Sequence, residues 1–149
     1  MRSGHHFAQL MEIAAGDMMC GVIRPDWDVE WGDNAEEVDG HCFFNTGGGG
    51  CYPGCRGWEG NQDSGQDTHI GMLLDLDQVS MTVWMNDVKL GVMVAEGLSG
   101  PYCWAVSIVW PGWAETGTAA LIESTPAPPS PTEKELVAAI AWQEVHADD

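Results

Sequence analysis

The sequence predicts an all-β fold, an antiparallel β-sandwich followed by a short C-terminal helix. Three observations carry this. From His5 to Leu98, short apolar stretches recur between clusters of Gly, Pro, Asn and Asp. Within Thr68 to Val94 the apolar residues alternate with the two-residue period of half-buried strands. No helical period appears among them. Roughly eight short strands at intervals of about ten residues argue for a sandwich or barrel. Their hairpin-rich order favours antiparallel sheets.

Taken in order, His5 to Ile13 is the first strand, closed by a Gly16-Asp17 turn. Met18 to Ile23 is the second, stopped by Pro25. Asp26 to Asp39 is polar and acidic, with Trp27 and Trp31 embedded, and reads as a loop. His41 to Asn45 is a short strand. The glycine run Gly47 to Gly50, with Pro53, Gly54 and Gly57, marks a further loop. In Ile70 to Leu76 the apolar positions are 70, 72, 74 and 76; in Met81 to Met85 the odd positions point one way. Asn86-Asp87 forms a two-residue hairpin turn, since Asn and Asp tolerate positive φ. Val88, Leu90, Val92 and Val94 resume the alternation, and Tyr102 to Val109 is a last strand.

After Gly117 the character changes. Residues 118–132 are rich in proline and small polar residues and read as an extended linker. Thr132 and Glu135 make a capping box ahead of Leu136 to Val145, an Ala-rich helix so apolar around Val137 to Trp142 that it must dock on something. The expected organisation is a sandwich over 1–117, a linker over 118–132, and a helix with an acidic tail over 133–149.

The chain carries 23 acidic residues against 5 basic ones, a formal net charge of −18. Such a surface repels nucleic-acid phosphates and anionic membrane headgroups, and favours a basic protein or peptide partner. The five cysteines are odd in number and irregular in spacing, unlike a secreted disulfide framework. No signal peptide or membrane-length apolar run is visible, so an intracellular, reducing setting is expected.

Several of these segments resemble one known family. Ile70-Gly71-Met72-Leu73-Leu74-Asp75-Leu76-Asp77, followed by Met81-Thr82-Val83-Trp84-Met85-Asn86-Asp87-Val88-Lys89-Leu90-Gly91-Val92, is similar to the second half of a SPRY (B30.2-like) domain. Gly100-Pro101-Tyr102 with Ala105-Val106-Ser107, Cys20-Gly21-Val22-Ile23, and Val38-Asp39-Gly40-His41 resemble further motifs of that family, in the same order. The resemblance spans about residues 5 to 113. It implies a curved sandwich of two antiparallel sheets, related to the concanavalin-like jelly roll. It implies protein recognition, often within ubiquitin-ligase adaptors or signalling scaffolds, and no catalysis or cofactor. It also implies strands ahead of the position matching His5, whose lack would leave an unpaired edge.

The same resemblance assigns a peptide pocket to loops at one end of the sandwich. Tyr52 is similar in place to its aromatic contributor, and Val109-Trp110, with Gly112 beyond, to the pair that ends the last strand. Aromatic side chains supply rigid contact area with a polar handle, which is why they anchor interfaces. The loop tryptophans Trp27, Trp31, Trp58 and Trp113 are candidates to widen that surface, with ordinary packing as the alternative; Trp84 is expected to pack.

Other chemistry finds less support. No G-x-S-x-G, Walker loop or H-E-x-x-H is present. His41, Cys42, Cys51 and Cys55 are soft metal ligands near one another, but a Pro-Gly turn and opposed strand faces separate them, so no metal is expected. A Cys51–Cys55 disulfide needs an oxidising compartment. The acidic residues from Asp26 to Asp39 are spaced faintly like a calcium loop, without its glycine or its flanking helices, and read as a solvated face. The rival functions are a carbohydrate-binding sandwich, which rests on fold analogy alone, and a gene fragment without independent function.

Overall fold

The computed structural model describes residues 3–12, 18–27, 35–62, 68–108, 119–122 and 129–145. The strands are β1 (His5–Glu12), β2 (Met18–Ile23), β3 (Cys42–Asn45), β4 (Cys51–Tyr52), β5 (Thr68–Asp75), β6 (Ser80–Met85), β7 (Val88–Val94), β8 (Cys103–Ile108) and β9 (Ala119–Ile122). One helix follows, α1 (Glu133–Val145). The strands form two antiparallel sheets, ordered β7-β6-β5-β1-β9 and β4-β3-β2-β8. Among the described residues no helix is long and apolar enough to cross a membrane.

The period-two pattern builds the core directly. Leu10 of β1, Ile70, Met72 and Leu74 of β5, and Met81, Val83 and Met85 of β6 all turn inward. Cys20, Val22, Cys42, Phe44 and Cys51 meet them from the four-stranded sheet. One apolar layer therefore joins the two sheets, as burial of alternate residues requires. The turn between β6 and β7 is the expected one, with Asn86 and Asp87 at φ 51° and 66°, the positive values of a primed hairpin turn.

β7 departs from simple alternation. Its pairing with β6 slips twice, between Met81 and Thr82 and between Val83 and Trp84. Each slip inserts one extra residue, Met93 and Leu90, and a bulge of that kind re-aims the side chains that follow. Met93 and Val94 both join the central core, whereas Val92 turns to the opposite face of the sheet.

That opposite face is covered by α1. Val92, Ala95 and Ala139 are buried together, with Leu136 and Ile140 packed against them. The helix N-terminus is capped as expected: the Glu135 amide donates to Thr132 Oγ1 at 3.2 Å, and Leu136 N donates to Thr132 O. At the other end the Gln143 side chain donates to Met93 O at 3.2 Å. The helix thus docks on its own sandwich.

The linker reading of 118–132 needs one correction. Ala119–Ile122 pairs antiparallel with Gln9 to Glu12 of β1. An exposed strand edge presents unpaired amides and carbonyls, and even a four-residue segment satisfies them. The edge expected to stay open on β1 is paired over this stretch.

Candidate functional site

At one end of the sandwich, the β2–β3 connection, the turn after β4 and the β7–β8 connection converge. Between them lies a cleft of about 520 Å³, lined among others by Asp39, His41, Tyr52, Arg56, Glu96 and Gln143. A second hollow of about 360 Å³ shares Gly54, Arg56, Glu96 and Gln143 with it and runs on to Trp142 and Glu144. One wall of the combined groove is the turn after β4, and α1 supplies the other.

The floor is held by contacts distant in sequence. Tyr102, buried ahead of β8, donates its hydroxyl to Gly40 O at 2.8 Å. Burial pushes its phenol above the ordinary value. Gly40 has φ 92°, a left-handed conformation that favours glycine, and the Arg24 guanidinium packs close over it. The Arg24 guanidinium lies 6.0 Å from the Tyr102 ring centroid, within cation–π range.

His41 is buried beside this floor. Its Nδ1 lies 3.0 Å from Ala35 O, and because a carbonyl only accepts, Nδ1 carries the proton. Nε2 is buried and has no partner among the described residues. In the neutral ring it is an acceptor sealed from solvent behind the cleft wall. Trp27 packs edge-on against the same ring, with centroids 5.6 Å apart.

Tyr52 pairs with Phe43 across β3 and β4 and is half-buried. The neighbouring Cys55 thiol, through its hydrogen bond, raises the Tyr52 pKa to about 12, with burial adding to the rise and a bond to Asn45 opposing it. The hydroxyl is therefore a donor across the physiological range. Cys42 and Cys51 face each other behind it. Their shared hydrogen bond, helped by burial, holds the Cys42 thiol well above its usual value. That same bond, aided by Arg56, lowers Cys51. All five cysteines are free, and Cys55 is exposed on the turn.

Of the residues expected at the site, Tyr52 lines the cleft and Trp27 stands behind it on His41. Val109, Trp110 and Gly112 lie outside the described residues, as do Trp31 and Trp113. β8 passes Ile23 at Cys103 and ends with Ile108 beside Met18. That is the opposite end of the sheet from His41. Trp58 is not a surface residue. It is 2% exposed, edge-on to Phe44, with Nε1 donating to Gly49 O at 2.6 Å. The glycines of its loop let the backbone close over the ring; a Cβ at Gly60 would lie 2.5 Å from it. Trp84 packs as expected, edge-on to Phe7 and under Lys89.

Arg56, Glu96 and Gln143 were not singled out from the sequence, and His41 was weighed only as a metal ligand. Each is unremarkable in its own segment, and only the tertiary fold assembles them.

No protein-family model matches this sequence, and no curated protein does. The structure is similar to the crystal structure of the SPRY domain of human HERC1, with a TM-score of 0.52 and 12% sequence identity. The likeness covers 76% of this chain and 79% of that one. At that identity the similarity establishes the fold, a SPRY-type β-sandwich.

Proposed function

We propose that this SPRY-type sandwich is a protein-recognition module that binds a basic peptide segment in the groove between the turn after β4 and α1. The observation that carries this is the composition of the groove. Asp39, Glu96 and Glu144 line it against Arg56, the one cation among its described lining residues, with the Tyr52 ring alongside. The whole-chain charge of −18 would steer a cationic ligand toward it. The aromatic ring would supply contact area, and the Tyr52 hydroxyl a polar handle for a peptide backbone.

The reading involves binding and no turnover. Five free thiols suit a reducing compartment, and a place within a larger scaffold or ligase assembly would fit the family resemblance. Carbohydrate binding draws less support from the described residues. Trp58 and Trp84 are spent on packing, which leaves few rings to stack on a sugar.

A peptide array scanned with basic, neutral and acidic sequences tests the proposal. Binding is expected for Arg- or Lys-containing peptides, and Glu96→Lys should weaken it about tenfold or more, a loss of about 1.4 kcal/mol. Binding of acidic peptides only, or of none, removes the reading. Trp110→Ala, assayed in parallel, decides the reach of the site. Lost binding brings Val109, Trp110 and Gly112 into the contact; retained binding confines it to the groove.

A further inference from the structure

A second cluster of side chains lies on the other sheet. The register of β1 against β5 sets His5 directly opposite Asp75. Asp77 follows two residues later, in the turn toward β6. Each carboxylate has one oxygen already engaged by backbone amides. Asp75 Oδ1 accepts from Asp77 N at 3.0 Å and Gln78 N at 2.9 Å, and Asp77 Oδ1 accepts from Gly4 N at 3.2 Å.

The remaining oxygens converge on one ring nitrogen. His5 Nε2 is 3.3 Å from Asp75 Oδ2 and 3.8 Å from Asp77 Oδ2. Asp75 is 0% exposed, and its Oδ2 accepts no hydrogen bond. A buried carboxylate oxygen without a donor is costly unless something of opposite charge meets it.

We propose that His5, Asp75 and Asp77 bind a divalent transition ion of the zinc class. With metal–ligand distances of about 2.0–2.2 Å and tetrahedral angles, two ligands of one ion stand about 3.4 Å apart. The observed 3.3 and 3.8 Å bracket that spacing, and one ligand atom from each of the three residues lies within 4.8 Å of the others. One imidazole nitrogen with two carboxylate oxygens suits zinc and its neighbours better than an all-oxygen ion such as calcium. His5 and Asp77 are exposed, which leaves an entry path and room for water to complete the shell.

Ser130 Oγ lies 3.2 Å from His5 Nδ1 and 3.5 Å from Nε2. The bound ion ties the start of β1 to the end of β5 and the β5–β6 turn. The competing occupant is a proton on His5, which would turn the same contacts into an ion pair.

Equilibrium dialysis of the tag-free chain against zinc chloride separates the two. One zinc per chain is expected, with affinity falling about tenfold or more in both His5→Ala and Asp77→Asn. Both altered side chains are exposed, and cooperative melts confirm that the variants fold. Cys55→Ser and His6→Ala should bind as the parent does. His6 faces away from the cluster, with Nε2 on Ser3 O at 2.7 Å. Zinc uptake unchanged by His5→Ala and Asp77→Asn overturns the site, as does absence of saturable uptake. Loss in Cys55→Ser assigns the ion to thiols instead. Calcium binding in place of zinc refutes the ion class.

Discussion

A single thiol raises the pKa of an aromatic residue that lines the groove. The Cys55 hydrogen bond is the largest cause of the raised Tyr52 pKa, about 12 against an ordinary 10. For a group whose folded pKa is raised, the stabilising contribution is complete below the unfolded value. It is lost as pH climbs through the folded one. The window here runs from about pH 10 to about pH 12. A spectrophotometric titration of the native protein should show tyrosinate appearing later than in free tyrosine. Cys55→Ala should move the Tyr52 transition back down, and an unchanged curve would show that the thiol is not the cause. Tyr52 was legible in the sequence, being an aromatic in a Pro-Gly loop that resembles a known pocket. Its partner on the turn was not, because Cys55 meets it only where the chain bends back with Gly54 at φ 87° and Cys55 at φ 49°. His5, Asp75 and Asp77 were equally unreadable. Seventy residues separate the first two, and only the β1–β5 register brings them together.

Among the elements, legibility followed length and regularity. β5, β6 and the turn between β6 and β7 could be read because alternation and turn chemistry are local. β7 could not be read fully, since its two bulges answer to the strand it pairs with. β9 is four residues beside a proline-rich stretch, too short for any period to show, and its pairing depends on an edge more than a hundred residues upstream. The helix itself was legible through its capping box, while its docking face was not, as a nearly uniform apolar sequence names no preferred side. The structure supplies the side: Ala139 is 2% exposed against Val92 and Ala95. Ala139→Glu should therefore destabilise the protein by on the order of 3 kcal/mol, by burying an unpaired charge. Chemical denaturation would measure it, and a loss below about 0.5 kcal/mol, typical of a surface change, would show that the helix is not docked as described. The same variant should lower peptide affinity, because α1 is one wall of the groove. By contrast the Lys89–Glu135 pair is a third or more exposed on both sides, and pairs of that kind contribute about 0–1 kcal/mol.

For the molecule as a whole, the formal charge of −18 makes two responses to salt run in opposite directions. Self-repulsion of the folded chain is screened as the Debye length shrinks from about 10 Å at 0.1 M to about 3 Å at 1 M. Melting temperature should rise with sodium chloride; each 1 kcal/mol of relieved repulsion is worth about 3 °C for a chain of this size. Affinity for a basic peptide should fall over the same range, since screening also removes its attraction to the groove. A calorimetric melt and a binding titration at matched salt concentrations test both. Parallel trends would place the binding energy in apolar contacts. The arrangement of the five-stranded sheet has a consequence of another kind. β1 is made ahead of the other described strands, yet its neighbours are β5 on one side and β9 on the other. A chain growing on the ribosome carries β1 without a partner until residue 75 has been made, and closes its far edge only after residue 122. Folding is thereby deferred to nearly the full length of the sandwich, and in a topology this non-local it then proceeds in about milliseconds to seconds. A transcript truncated between those two points would yield a polypeptide whose first strand is free to pair with its neighbour's.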